Sequence, residues 1–429
     1  MPPKRNPSGV DRAGPSGKQS ERAGAPARKL NAYALGVLAA VLAAAGAGYL
    51  VRPGASHALS AHAQRALQNS RNFQGRRGPW GLIEYSRIAI SMPIEYAPGD
   101  PDLEPTRWWF AGATRERVMS VLADAGLTAE QIRSIEQAGW VDSPEGVVVS
   151  PPDKVILEMS PQTRGRVYAA LALNERNGSQ ATPEFVYPEY VDERFESSGL
   201  SDATTALIRR LLYPRKSWLL FSDANVVMAT LQTPVERQHF NQTVHRRLTM
   251  MAQLIIDRGS DLDAMVAYWD FKGRSKGLRS LFESVSRIPG GGELDISHVL
   301  TPFARQHLYA FPDPSDNPEV LRRDCGWTAL NFFNDEPDDH LSHPEYAAQV
   351  LQRDYERVGE PRFGDVVALV DDHEESVHLA TYLADNLTFT KNGHNRTQPW
   401  MLMKLPELVE QYSINRIKNV DVWYFRRVH

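Results

Sequence analysis

The chain has 429 residues, 42% of them hydrophobic and 23% charged, with a net charge of −4. That is length enough for a membrane segment and two domains at about 150 residues each, and apolar matter enough for a core. Residues 1–31 set Lys4, Arg5, Arg12, Lys18, Arg22, Arg28 and Lys29 against Asp11 and Glu21; the tail is therefore +5 and the body −9, which offers nucleic acid no basic field.

Residues 1–31 are rich in Pro, Gly, Ser and Arg and are expected to be disordered. Ala32–Val51 follows, twenty residues without a charge between Lys29 and Arg52. As a helix it spans about 30 Å, the hydrocarbon thickness of a bilayer, and is expected to be an uncleaved transmembrane anchor. A cleaved signal peptide carries a shorter apolar run, about 7–15 residues. Gly36, Ala40, Ala44 and Gly48 add a small-residue face for helix pairing. The positive-inside rule keeps the basic tail cytoplasmic and places the remaining domains in the periplasm or outside the cell.

Residues 52–105 read as a partly structured linker, broken at Gly78-Pro79-Trp80 and by prolines from Pro93 to Pro105. Residues 106–288 read as a mainly α-helical domain. Thr114–Ala125 repeats apolar residues at helical spacing, Thr128 and Gln131 make a capping box, and Ser201–Leu212 follows. Pro234 sits just inside a Thr233 cap, opening a helix expected to run to Ile256. Leu262–Phe271 and Lys276–Ile288 complete the set, and Pro289-Gly290-Gly291-Gly292 is the expected domain boundary.

From residue 293 to 429 short strands dominate: Asp365–Val370, Val377–Leu383, Leu387–Lys391 and Val420–Arg427. The second and third read as a hairpin turned at Ala384-Asp385-Asn386, and Asn392-Gly393 as a further turn. The expected class is α+β. The only cysteine, Cys325, stands at the start of an apolar helix, and His378 follows fifty-three residues later on an alternating strand. A thiolate is a nucleophile, and a helix N-terminus and a nearby imidazolium both lower a thiol's pKa. Exported proteins use cysteine mostly in pairs, so a lone thiol calls for a reason beyond packing.

Asp324-Cys325-Gly326-Trp327 is similar to the nucleophile motif of the NlpC-type cell-wall endopeptidases, a branch of the papain-like cysteine hydrolases. Gly364-Asp365-Val366-Val367 resembles that family's Gly-Asp-Leu-Val strand, and His378 with Tyr382 four residues later matches its histidine strand. The resemblance covers Asp324 to Lys391. It implies a papain-like C-terminal domain, with the cysteine helix packed on a small antiparallel sheet, acting on a peptide of the cell wall. Cys325 would be the nucleophile and His378 the general base. The family's third polar residue falls twelve positions after the histidine, here Thr390; Asn392, on the same strand face, is the expected residue that orients the ring. Backbone N–H groups at the helix start would bind the oxyanion.

No cofactor is expected. His373 and His378 are five apart and not on one helix, which does not suit the zinc-protease motif, and no metal is expected. Phosphate-loop, dinucleotide and Gly-Xaa-Ser-Xaa-Gly motifs are missing. His340 and His343 read as solvated loop residues, and Asp335–Asp339 as a solvated run or a reader of a positive group. Trp327 and Trp400 read as core or as cleft walls. Sequons at Asn177, Asn241, Asn386 and Asn395 matter only in a glycosylating host. Two rival readings stand beside the hydrolase: an inactive fold serving as a binding or scaffolding module, its helical domain contacting a protein partner, and an acyltransferase.

Overall fold

The computed structural model describes residues 73–97, 104–313, 315, 322–415 and 420–428. Two strands open it, β1 (Phe73–Gln74) and β2 (Leu82–Ile90). The chain then leaves the sheet and builds a separate lobe over 104–245. Its strands are β3 (Trp108–Ala111), β4 (Trp140–Ser143), β5 (Gly146–Val149), β6 (Glu184–Val186), β7 (Tyr213–Arg215) and β8 (Trp218–Phe221). They form two antiparallel sheets, β3–β5–β4 and β6–β8–β7, between helices that include Pro161–Leu171, Asp202–Leu211 and Pro234–Val244. Trp108, Val149, Tyr168, Leu211, Leu220 and Phe240 fill the lobe's own core. Arg164 and Asp223 make a fully buried ion pair inside it, and the Tyr168 hydroxyl donates to the Asp223 carboxylate.

The chain returns on β9 (Arg247–Ile256), which pairs with β2 along its whole length, from Leu82↔Ile255 to Ile90↔Arg247. β10 (Gly292–Asp295) completes the order β1–β2–β9–β10. The sequence pattern joined Pro234–Ile256 into one helix. A capping box between Thr233 and Glu236 does open a helix there, but it ends at Val244, and the apolar run beyond it alternates buried and half-buried residues as a strand. An apolar run alone does not separate a buried strand from a helix; the nine-residue partner β2 decides it. Pro289–Gly292 is the turn into β10, with Gly290 and Gly291 at φ +89° and +85°, and Phe282 and Leu294 on either side share one core.

The remaining strands are β11 (Tyr355–Val358), β12 (Val366–Val370), β13 (Ser376–Ala384), β14 (Leu387–Lys391), β15 (Trp400–Lys404) and β16 (Asp421–Arg427). They form one antiparallel sheet in the order β11–β16–β12–β13–β14–β15. Asp385 and Asn386, at φ +47° and +58°, make the two-residue turn between β13 and β14. The Cys325–Leu330 helix packs on one face of this sheet, over Leu383, Leu387 and Phe389. The Leu405–Ser413 helix covers the other, over Val367, Ala380 and Met403. At the sheet's edge the Thr249 hydroxyl of β9 donates to Leu402 O (2.9 Å) and accepts from Leu402 N (3.0 Å), so the two large sheets share a core.

The expected fold class is therefore corrected. The chain is α+β with four antiparallel sheets among its described residues, and the stretch 106–288, expected as mainly helical, carries the seven strands β3–β9 among its helices. Strands of three or four residues are too short to show a period of two against the helical background. No helix among the described residues is long and apolar enough to cross a membrane. Ala32–Val51, expected as a transmembrane helix, lies outside them.

Candidate functional site

Cys325 is the first residue of its six-residue helix. Asp324 caps that helix, its Oδ1 accepting from Gly326 N (2.9 Å) and Trp327 N (3.1 Å), as short polar side chains do at helix starts. Thr328 then ties the helix to the sheet: its hydroxyl accepts from Trp400 Nε1 at 2.9 Å. Cys325 is partly exposed and lines a cleft of about 1100 Å³ between the sheet and the inserted lobe. Close packing around the thiol and the neighbouring Asp324 carboxylate push it up to about 11, against backbone hydrogen bonds from Leu379 and Gly326 and the charge of Lys391. The thiol thus rests protonated, against the backbone of the residue that follows His378.

His378 lies on β13 and is 1% exposed. Its Nε2 is 2.8 Å from Thr390 Oγ1, and the Thr390 hydroxyl donates to Asn392 Oδ1 at 3.1 Å. The direction of this chain fixes the ring's tautomer. Thr390 has one proton and gives it to Asn392, so it accepts from Nε2–H, and Nδ1 is left with a free lone pair. Nδ1 has no hydrogen-bond partner among the described residues, Cys325 included. Burial pushes the imidazole down to about 3, so it rests neutral. The Tyr412 ring stacks on it, with centroids 4.2 Å apart and planes at 21°.

Of the three residues the sequence singled out, Cys325 and Asn392 line the same cleft and His378 is buried beside it. Asn392 does not touch the imidazole; it acts through Thr390, the residue at the family's own third position. Thr390 and His378 share one face of the β13–β14 pair, a diagonal cross-strand placement that brings a short hydroxyl within reach.

Two residues carry no sequence signal that pointed here. Tyr412 comes from the Leu405–Ser413 helix and lines the cleft with Cys325. Lys391 follows Thr390 and so faces the opposite side of β14, toward the cysteine helix. It is fully buried, and its ammonium donates to Gly393 O (2.6 Å) and Asn395 O (3.2 Å) in the cleft wall. Burial lowers it to about 7, against the pull of Asp324 and Cys325. The inserted lobe supplies the facing wall, including Phe185, Thr182 and His245.

Trp327 and Trp400 are core, 1% and 2% exposed, and pack with His307. In the acidic run, Asp338 caps the turn at Asp339–Ser342 and bonds His340, while Asp339 accepts from Trp327 Nε1. Among the described residues no three His, Cys, Asp or Glu side chains are grouped to hold a metal ion. Comparison with protein families, curated proteins and solved structures finds no match.

Proposed function

We propose that this chain is a cysteine hydrolase that cleaves an amide or ester through Cys325 and His378. The observation that carries the reading is the imidazole: one nitrogen is held through Thr390 and Asn392 and the other keeps its lone pair free, while Cys325, hydrogen-bonded to the backbone of the next residue, Leu379, opens onto a large cleft. A fixed tautomer, with one ring nitrogen held and the other bare, is the orientation a general base requires. With thiol and imidazole both neutral at rest, the proton moves as the nucleophile attacks. Sγ forms its bond to the carbonyl carbon while Nδ1 takes the thiol proton. The imidazolium then returns that proton to the leaving amine or alcohol as the bond to it breaks, leaving a thioester for water. The motifs at Asp324–Trp327 and Gly364–Val370 point to cell-wall peptides as the substrate, and the cleft has room for several residues.

The neutral resting pair also favours a second reading, a binding module that holds such peptides without cleaving them. One experiment separates the two. The full chain, Cys325→Ala and His378→Ala are incubated with cell-wall stem peptides, and released amines are counted beside calorimetric binding. The hydrolase reading expects release that Cys325→Ala abolishes and His378→Ala lowers by about 10²–10⁴-fold. Tight binding with no release by the wild type assigns the module instead.

A further inference from the structure

We propose that Tyr412 is a catalytic residue of this site, its hydroxyl donating a hydrogen bond to the oxyanion that forms when Cys325 attacks a carbonyl; this rests on the hydrolase reading above. A tetrahedral intermediate needs donors aimed at the oxygen where charge develops. The start of the cysteine helix, the expected source, is nearly used up. Gly326 N–H and Trp327 N–H both donate to Asp324 Oδ1, and Thr328 N–H donates to Asp324 O at 3.0 Å. Cys325 N–H remains, and a six-residue helix adds little field of its own.

Tyr412 is placed to supply the second donor. Its ring lies flat on the His378 imidazole and it lines the cleft with Cys325. Its hydroxyl has no hydrogen-bond partner among the described residues. Burial, with Cys325 and the Asp324 carboxylate facing it, raises the phenol well above its ordinary range, which keeps it protonated and a donor throughout. Tyr412 is half-buried in the cleft lining, so its hydroxyl is left to whatever occupies the cleft.

The helix that carries Tyr412 is held in register by the inserted lobe. Glu410 accepts from Ser217 N (2.9 Å) and Ser217 Oγ (2.6 Å), and Lys216 Nζ donates to Ser413 O at 3.0 Å. Asn415 Nδ2 donates to Ala181 O at 2.7 Å, and Glu407 accepts from Tyr187 of the lobe and from Arg87 of β2. A donor so fixed needs no reorganisation at the moment of reaction. As the Sγ–C bond forms, the carbonyl π pair moves onto oxygen and the Tyr412 O–H bonds to it. The phenol keeps its proton, and the oxyanion collapses when the leaving group departs with the proton from His378.

The test compares two reactions of Cys325 in the full chain. Acylation by p-nitrophenyl acetate passes through an oxyanion; alkylation by iodoacetamide does not. Tyr412→Phe keeps the stacked ring and loses only the hydroxyl. It is expected to slow acylation by about 10²–10³-fold, the scale of a lost oxyanion donor, with alkylation within about twofold of wild type. Glu410→Ala, which loosens the helix without touching the thiol, is expected to slow acylation in the same selective sense. Acylation of Tyr412→Phe at the wild-type rate overturns the inference and leaves the hydrolase reading standing. An equal fall in both reactions makes the tyrosine structural and also overturns it. A wild-type Cys325 that alkylates but is never acylated overturns both.

Discussion

Replacing Thr390 by valine removes one oxygen and keeps the shape of the side chain. Thr390 is 0% exposed and His378 1%, so no water can replace the hydroxyl. Two consequences follow from the geometry. The Nε2–H of His378 becomes a buried unsatisfied donor, which costs about 1–3 kcal/mol of stability. The preference for the Nε2–H tautomer also disappears. A buried hydrogen bond contributes about 0.5–1.5 kcal/mol net, so the ratio of rings with a free Nδ1 lone pair to the other tautomer falls by about 2–13-fold at 25 °C, and their fraction by up to about twofold. Turnover is expected to drop by up to about twofold with KM unchanged, because Thr390 lies behind the ring and does not meet the substrate. Asn392→Ala is the sharper variant. It leaves the Thr390 hydroxyl without its acceptor, free to turn and donate to Nε2, which moves the ring proton onto Nδ1. The assay is nitrogen NMR of histidine-labelled protein, in which protonated and unprotonated ring nitrogens resonate far apart, read beside turnover. If His378 shows the same tautomer in wild type, Thr390→Val and Asn392→Ala, the relay does not set it and the reasoning fails.

Two further predictions concern buried charge. Arg164→Met leaves Asp223 unpaired in the core of the inserted lobe and is expected to cost about 3–5 kcal/mol, read as an earlier urea transition of that lobe; Arg164→Met with Asp223→Asn should recover most of it, and an unshifted transition would show the pair to be dispensable. Lys391 titrates near 7 in the fold and near its ordinary 10.5 when unfolded, so between those values the unfolded chain holds more protons and stability rises with pH. Relative to Lys391→Met, the wild type should therefore gain stability from pH 7 to pH 9 in urea titrations, and a difference that stays flat refutes the burial of its charge.

The site was legible in the sequence where its signal is local. A thiol after an N-cap aspartate, a histidine on an alternating strand and an Asp-Asn turn each follow from a few neighbouring residues. The capping box at Thr128–Gln131 and the Thr233 cap before Pro234 were readable for the same reason. What depends on distant partners was not. β2 lay in what read as a linker, and β9 in what read as a helix, because each is a strand only in the presence of the other. Asn392 was expected in place of Thr390, whose reach depends on the diagonal register of β14 against β13. Tyr412 and Lys391 carry no motif, and only the packing of the sheet's two faces shows what each of them meets.

The inserted lobe has its entrance and its exit side by side. Ile90 and Arg247 are cross-strand partners, so the chain departs from β2 and rejoins on β9 across about 5 Å, the spacing of paired strands. A module attached through so narrow a neck is interchangeable: a short hairpin turn joining the two strands closes the gap without disturbing their register. The thiol, the imidazole and its relay all lie outside the exchangeable part, while the opposite wall of the cleft lies within it. Descendants of such a chain can trade one lobe for another and inherit the same chemistry with a new appetite.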